Sequence, residues 1–395
     1  MSLERIRDDL MFLAGRLLHR SAQTDEERRA AEFIRQRLKT YTPDVEVDDF
    51  HCIDNYFFLF GSYFAEFGVV ALLAVWWPAF AAAYGACVFL MYLAEFMGYR
   101  VLARFLPHFE SQNVAARLHA PKPDNLFVVT AYYDSGCACP LSHPAVVPWL
   151  RLIHLLLLLC MVVVVATCAT DALGLFSGTD YPHSVYIRWT AAAVLICAAL
   201  AAFYASTQTE HVRGANSNAS GAAALLRLAE HLSEAPLQNA DVWLVATGSH
   251  EAWMSGVRHF LTSHKLDKAH TYILNIESVG AGDLRYCSAE GLLSPAHGDR
   301  RMREAADAVA PDYGLTPAKL RAIPSEAHVP LSRGYKTLSI IGLDQTGLPP
   351  HWNCISDRVT EVDEIKVAAA ADCAEALLRR LETTLRAAAP HQAEH

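Results

Sequence analysis

The sequence predicts an α/β protein: a mixed, mostly parallel twisted sheet with helices on both faces, interrupted by four transmembrane helices that form two hairpins. Two observations support this fold class. Short apolar runs typical of buried strands alternate with helical segments, which is the pattern of a largely parallel sheet covered on both sides. The chain is also 53% hydrophobic, which is high for a soluble protein and indicates membrane segments.

Four long apolar stretches account for the hydrophobic excess. Residues 57–77 and 79–99 are each about 20 residues long, the length needed to cross a bilayer core of about 30 Å, and they are joined at Pro78. Residues 152–169 and 189–205 form a second pair, joined by a polar segment. We therefore predict two helical hairpins in a membrane. The alternative is that these stretches are buried helices of a large soluble core.

The hairpins divide the chain into discontinuous domains. The first hairpin is predicted to span residues 57–108 and the second residues 145–207. The remaining segments, 1–56, 109–144 and 208–395, total about 280 residues, which is enough for one large α/β domain. We expect these three segments to fold together as a soluble domain.

Charge gives an orientation and excludes one class of partner. Arg100, Arg104, Arg151 and Arg213 flank the soluble domain, whereas the hairpin turns contain only Arg188. The positive-inside rule therefore predicts an integral protein of the cell (inner) membrane with its soluble domain in the cytoplasm. The net charge of -9 and the lack of a basic cluster argue against nucleic acid as a partner.

Two glutamates fall inside the first predicted hairpin. Glu66 lies near the middle of one span and Glu95 near the cytoplasmic end of the next. An ionisable group at such depth is costly, which makes each a candidate functional residue. The alternative is a protonated carboxyl group that faces a neighbouring helix. Small-residue runs in the spans permit close helix approach and favour association with another protein.

The soluble segments alternate between strands and helices. Strands are predicted at residues 125–133, 241–247, 272–276 and 337–343. Helices are predicted at residues 26–41, 222–232, 252–261 and 361–386. In sheets of this kind, functional residues gather at the carboxyl ends of the strands.

Five segments at or after these strands carry distinctive sequences. They are AYYDS (Ala131–Ser135), GANSNASG (Gly214–Gly221), GSHEA (Gly248–Ala252), the acid Glu277 after YILNI, and NCISDRVTEVD from Asn353. In this order they resemble metallopeptidase family 28, which includes zinc aminopeptidases, carboxypeptidase Q and glutaminyl cyclases. The resemblance covers nearly all of the soluble sequence and implies the zinc aminopeptidase fold, with the hairpins as additions.

The resemblance also implies zinc ligands, and this chain departs from several of them. Tyr132 stands where the family has a histidine ligand, and a neutral phenol is a poor zinc ligand near pH 7. Ser217 replaces the aspartate that bridges two zinc ions. Asn353 aligns with the last histidine ligand, and His250 occupies the position of the glutamate that acts as general base.

Three acidic residues match the family pattern. Glu251 and Glu277 remain at two ligand positions, and Asp134 corresponds to the aspartate that orients the lost histidine. Two remaining ligands of five are too few for the metal site of the family. The sequence therefore predicts a catalytically inactive pseudopeptidase without a cofactor, which binds or scaffolds a membrane or cytoplasmic protein, or a peptide-like ligand.

The alternative hypothesis is that the chain is an active enzyme. His250, Glu251 and Glu277, with His328 or His351, would form a rearranged single-zinc site in an active metallohydrolase or acyl-transfer enzyme. Each of the two additional histidines also has a simpler explanation as a hydrogen-bonded loop residue. Ten scattered cysteines include a CxC pair, Cys137 and Cys139, with either a metal-binding or an incidental role.

Overall fold

The computed structural model describes residues 3–175, 181–208, 210–293 and 295–388. These residues divide into two compact units. The first unit consists of the chain up to Asp54, Phe109–Pro148, and the chain from Glu210 onward. The second consists of Asn55–His108 and Trp149–Thr209.

Within its described residues, the first unit is organised around one sheet of nine strands. The strands are β1 (Val45–Ile53), β2 (His108–Leu118), β3 (Asn125–Tyr132), β4 (Ala240–Thr247), β5 (Thr271–Glu277), β6 (Asp283–Glu290), β7 (Ala296–His297), β8 (Thr316–Leu320) and β9 (Lys336–Leu343). Their order across the sheet is β1-β2-β4-β3-β5-β9-β6-β7, with β8 paired to β6.

The described residues also form eleven α-helices, of which α3 to α6 belong to the second unit. The helices are α1 (Leu3–Leu10), α2 (Asp25–Leu38), α3 (Tyr56–Leu73), α4 (Pro78–Phe96), α5 (Leu150–Ala172), α6 (Tyr181–Ser206), α7 (Ser220–Glu234), α8 (Ser255–Ser263), α9 (Arg300–Tyr313), α10 (His328–Ser332) and α11 (Glu364–Ala388).

The predicted mixed, mostly parallel sheet is confirmed. Strands β4, β3, β5 and β9 run parallel at its centre, and antiparallel pairs β2–β4 and β9–β6 flank them. Helix α7 packs against β3 and β5, and α11 packs against α7 and α9. The buried residues of α7 are mainly alanines and leucines, and the small alanine side chains allow the helix to lie close to the sheet.

Helix α8 begins three residues later than the sequence predicts. The predicted helix began at Ala252, but Trp253 and Met254 have φ angles of +61° and +54°. This left-handed backbone cannot continue a right-handed helix. Helix α8 therefore starts at Ser255, and the residues before it form a compact turn after β4.

The second unit is a bundle of four helices that satisfy the length and composition of membrane spans. Helix α3 packs against α4 and α6, and α5 packs against α4 and α6. A Cβ added at Gly61 would lie 3.0 Å from Phe203, and one added at Gly68 would lie 3.1 Å from Ile196. Because neither glycine of α3 has a side chain, α6 can approach α3 closely at both positions.

Both glutamates of the first hairpin accept hydrogen bonds inside the bundle. The Tyr84 hydroxyl donates to Glu66 Oε2 at 2.6 Å and so links α4 to α3. Glu95 Oε2 accepts the backbone N–H of Val101 at 2.8 Å and the Tyr63 hydroxyl at 3.3 Å. These contacts give Glu66 a role in joining the hairpin and Glu95 a role in fixing the chain that leaves α4.

The second hairpin contains a buried ion pair. The side chains of Arg188 and Asp171 are 1% and 2% exposed and contact each other. The Ser184 hydroxyl donates to the same carboxylate at 2.5 Å. The prediction that Arg188 lies in a hairpin turn was wrong: Arg188 lies within α6, where Asp171 on α5 neutralises it.

A buried carboxyl group between α1 and α2 makes stability depend on pH. Asp9 is 1% exposed and lies 2.6 Å from Arg37. Burial raises the pKa of Asp9 from 3.8 to about 6, because it outweighs the attraction of Arg37. The raised pKa means that the folded state holds this proton more tightly than the unfolded state. The resulting stability is complete below about pH 4 and is lost as the pH rises through 6.

We expect Asp9→Asn to gain apparent melting temperature relative to the wild type as the pH is raised from 4.5 to 7.5. For pKa values of 3.8 in the unfolded state and about 6 in the folded state, the relative gain over this pH range is roughly 2 kcal/mol, at about 1.4 kcal/mol for each pKa unit. Thermal unfolding of the full-length protein in detergent across this pH range measures it. Asp8→Asn, an exposed neighbour, is the control. A difference between Asp9→Asn and wild type that does not change with pH would contradict the prediction.

Candidate functional site

The central parallel strands bring the predicted site residues to one edge of the sheet. Tyr132 at the end of β3 lies opposite Thr247 at the end of β4. Strand β5, on the other side of β3, ends at Glu277. The loops that follow these strands therefore start side by side, as expected for the carboxyl edge of a parallel sheet.

The GANSNASG segment forms a tight turn that leads into α7. Gly214 has φ +60°, which favours glycine, and Ala215–Ala219 form a π-helical turn. A Cβ at Gly221 would lie 2.4 Å from the carbonyl oxygen of Ile276. Only glycine permits this approach, so the start of α7 lies directly against β5.

Ser217 is hydrogen-bonded to an aspartate from the loop before α11. Its hydroxyl donates to Asp357 Oδ2 at 2.6 Å, and its backbone N–H donates to the same oxygen at 3.1 Å. The backbone N–H of Asn216 donates to Asp357 Oδ1 at 2.6 Å. Both side chains are fully buried. Burial raises the pKa of Asp357, although these donors oppose the increase.

Two buried carboxyl groups hold the loop after β4. Asp134 Oδ1 accepts the backbone N–H of His250 at 2.8 Å, and Oδ2 accepts that of Glu251 at 2.9 Å. Glu27, from the first turn of α2, accepts the backbone N–H of Ser249 at 2.8 Å. Ser249 has φ +50°. Asp134 thus positions backbone, and burial raises its pKa and that of Glu27.

The His250 imidazole stacks on Tyr132 and is surrounded by carboxylates. The two rings are 3.8 Å apart and inclined by 13°, and Nδ1 lies 3.9 Å from Glu326 Oε1. Burial favours a low pKa for His250, but Glu326, Glu251 and Glu277 together raise it to about 9. The imidazole is therefore positively charged at neutral pH.

Glu251 and Asn353 contact each other directly. Asn353 Nδ2 donates to both carboxylate oxygens of Glu251, at 3.2 and 3.3 Å. Burial raises the pKa of Glu251, whereas His250 and this amide oppose the increase. A Cβ at Gly136 would lie 2.7 Å from Asn353 Oδ1. The absence of a side chain at Gly136 therefore leaves room for the amide.

Glu277 accepts hydrogen bonds from neighbouring elements of the sheet. Asn275 Nδ2 donates to Glu277 Oε2 at 3.0 Å, and the backbone N–H of Glu326 donates to the same oxygen at 3.1 Å. Burial raises the pKa of Glu277, and His250 opposes the increase. The site thus contains several carboxyl groups arranged around one imidazolium ion.

The two additional histidines of the predicted single-zinc site, His328 and His351, have surroundings that differ from those of His250. His351 Nδ1 lies 3.0 Å from Ser356 Oγ, and its Nε2 lies 3.9 Å from Glu361. His328 begins α10, and its ring contacts that of Trp253 edge to face. Within the described ranges, no group of three or more histidine, cysteine, aspartate or glutamate side chains is arranged to hold a metal ion.

The CxC cysteines are separate from the carboxylate cluster in their hydrogen bonding. Cys137 Sγ lies 3.1 Å from His211 Nδ1, and Cys139 Sγ lies 3.3 Å from Ser142 Oγ. All ten cysteines are free thiols in the structure. Burial raises the pKa of Cys137 to about 12, so this thiol is protonated at neutral pH.

Four structurally important residues were not identified as site residues from the sequence. They are Arg20, Glu27, Glu326 and Asp357. The position of Glu326, two residues before His328, offered a signal for an acid near the site. Arg20 and Glu27 offered none, because they lie in or beside helical sequence far from the five motifs and act through backbone groups.

Both the sequence and the fold of the chain are similar to those of known proteins. The sequence profile of Peptidase family M28 matches residues 191–378, and no curated protein matches the chain. The fold is similar to that of an aminopeptidase from Aneurinibacillus sp. strain AM-1, with TM-score 0.56 and 14% identity over 96% of this chain and 94% of that one.

Two further structures show the same fold. A zinc aminopeptidase from Bacillus subtilis has TM-score 0.55 and 13% identity, covering 100% of this chain and 97% of its own. A glutaminyl cyclase from Bacteroides thetaiotaomicron bound to N-acetylhistamine has TM-score 0.52 and 12% identity, covering 95% and 96%. The profile match over residues 191–378, together with this shared fold, supports a relationship between the chain and Peptidase family M28.

Proposed function

We propose that this chain is a membrane-anchored pseudopeptidase that binds or scaffolds a partner, or holds a peptide-like ligand, without hydrolysing it. The observation that carries this proposal is the contact between Asn353 and Glu251. The Asn353 amide donates to both oxygens of Glu251, so one lone-pair site on each oxygen is directed at an N–H donor that stands where the family has a histidine ligand.

The chemistry of the other ligand positions supports the proposal. Tyr132 is 2% exposed, and burial raises its pKa well above the usual value, so its phenol remains neutral. Ser217 donates its hydroxyl hydrogen to Asp357 and carries no charge. Catalytic zinc sites use about three charged or imidazole ligands for each ion. The residues at these positions therefore do not fit a pair of zinc ions.

The position of the general base also argues against hydrolysis. A base must lie within hydrogen-bonding reach of the proton it removes. His250 instead stacks on Tyr132 and directs Nδ1 towards Glu326. This arrangement suits a cation that balances buried carboxylates better than a base that activates water.

The backbone of the site supports a retained binding role. Ser249, Ser278 and Asn353 have φ angles of +50°, +53° and +46°, and each lies in a loop at the carboxyl edge. Such conformations cost on the order of 1 kcal/mol or more each. They persist where the surrounding contacts maintain a defined shape, which favours a site for a ligand or a partner surface.

The second unit supports membrane anchorage. Four helices of the described chain are long and apolar enough to cross a membrane, and apolar side chains along α5, such as Leu156 and Leu159, are 50% and 57% exposed. We propose an inner-membrane location with the first unit in the cytoplasm, from the arginines that flank the spans. Reporter fusions on each side of the hairpins test this orientation.

A hydrolysis assay tests the loss of activity. Full-length protein in detergent is incubated with a panel of aminoacyl-amide, peptide and N-terminal glutaminyl substrates, with and without added zinc. The matched control is the Glu251→Ala/Glu277→Ala double variant. We expect equal rates for both proteins. Zinc-dependent turnover in the wild type that the double variant lacks would overturn the proposal and support the single-metal enzyme instead.

A further inference from the structure

The loops at the carboxyl edge are joined to one another by direct hydrogen bonds between former ligand positions and their neighbours. Asn353, in the loop before α11, donates to Glu251, in the loop after β4. Ser217, in the turn before α7, donates to Asp357. Each of these bonds crosses more than 100 residues of sequence. We call these two contacts the donor network.

The donor network has the polarity opposite to that of a metal site. Zinc is held by lone pairs that converge on a cation from several loops. Here Asn353 and Ser217 point N–H and O–H hydrogens at carboxylate oxygens. The carboxylate oxygens of Glu251 and Asp357 therefore accept hydrogen bonds from these donors, and the loops are linked without an ion between them.

Burial increases the energetic cost of losing either contact of the donor network. Ser217 and Asp357 are 0% exposed, and Asn353 is 3% exposed. A buried carboxylate that loses its donor is left with an uncompensated charge, which is strongly destabilising. We infer that the donor network replaces metal coordination as the link between these loops, so that the protein reaches and keeps its folded site without zinc.

This inference extends beyond the proposed function. It concerns how the site is held together and does not depend on whether the chain hydrolyses a peptide. Turnover without bound zinc would overturn the proposed function and leave this inference intact. Stoichiometric zinc without turnover would overturn the inference and leave the proposed function intact.

Asn353→Asp gives the most direct test, because it changes a donor into a ligand with almost no change in shape. In the presence of a chelator, we expect the variant in detergent to melt about 5 °C below the wild type, since two carboxylates then face each other. Added zinc is expected to restore most of this loss. The wild-type melting temperature is expected to be the same with chelator and with zinc.

Asn353→Ala is the matched control. It removes the same donor without supplying a ligand, so it should lose melting temperature and gain nothing from zinc. A wild type that melts lower in chelator overturns the inference. So does an Asn353→Asp variant that melts as the wild type does, because the contact with Glu251 would then contribute no link.

A combined variant tests the reverse change. Tyr132→His, Ser217→Asp and Asn353→His together restore the ligand types that the resemblance implies. After dialysis, elemental analysis should find at least one zinc per chain in this variant and far less than one in the wild type. Stoichiometric zinc in the wild type overturns the inference. If the combined variant does not fold, the Asn353→Asp and Asn353→Ala pair decides.

Discussion

Arg20→Ala will lower the apparent melting temperature of the full-length protein by about 10 °C or more. Arg20 is completely buried between α1 and α2, and burial lowers its pKa to about 10, so it remains charged at neutral pH. Its guanidinium group donates to the carbonyl oxygens of Tyr133 at 2.7 Å and Gly214 at 3.0 Å, and to Asn218 Oδ1. One side chain thus joins the end of β3 to the GANSNASG turn.

The size of the effect follows from the groups that would lose a partner. Removing one member of a buried, charged hydrogen-bonding set costs about 3 to 5 kcal/mol, and each kcal/mol corresponds to roughly 2 to 4 °C in a domain of this size. The carbonyl oxygen of Tyr133 would lose its arginine donor, and that of Gly214 would keep only the backbone N–H of Ala219. A cavity the size of the arginine side chain adds to the cost.

Two controls separate this interaction from charge alone. Arg20→Lys keeps the charge but cannot reach the same set of acceptors with one planar group, so it should fall between wild type and Arg20→Ala. Arg29→Ala removes an arginine that is 67% exposed and should change the melting temperature by little. The prediction would be contradicted if the Arg20→Ala and Arg29→Ala proteins melted within 2 °C of each other, because the buried arginine would then contribute no more stability than the exposed one.

The sequence predicts the central strands well because the length and apolar character of a strand are properties of a short local segment. The apolar runs that became β3, β4, β5 and β9 have the length of strands, and the structure places them side by side. Their order across the sheet was not predicted, since periodicity does not specify which strands pair. The late start of α8 at Ser255 was missed because a left-handed backbone at Trp253 and Met254 leaves no compositional signal.

The identities of the former ligand positions could be read from the sequence, but their interactions could not. Substitution by Ser217 and Asn353 is visible in the motifs, whereas the donation to Asp357 and Glu251 depends on loops that are distant in the chain. Arg20 was overlooked for the same reason: its partners are mostly backbone carbonyl groups, and any residue type supplies those. Contacts between residues far apart in the sequence, whether to side chains or to backbone, therefore set the limit of prediction here.

Asp134→Ala is the second change for which we expect a large effect, and its effect will be concentrated in one loop. Asp134 is 0% exposed, and its two oxygens satisfy two consecutive backbone N–H groups, those of His250 and Glu251. Alanine leaves both of these part-buried N–H groups without this acceptor. Since each unsatisfied group costs about 1 to 3 kcal/mol, we expect the apparent melting temperature to fall by about 5 to 10 °C.

Hydrogen exchange distinguishes this local role from a general loss of stability. The amides of His250 and Glu251 should exchange about tenfold faster or more, because 1.4 kcal/mol of lost protection corresponds to a factor of ten. Asp134→Asn retains one acceptor oxygen and should give a smaller effect at both positions. The opposing contribution is the relief of a buried charge, since the pKa of Asp134 is raised by burial. If that contribution dominated, both variants would be more stable than the wild type, and the two amides would exchange no faster.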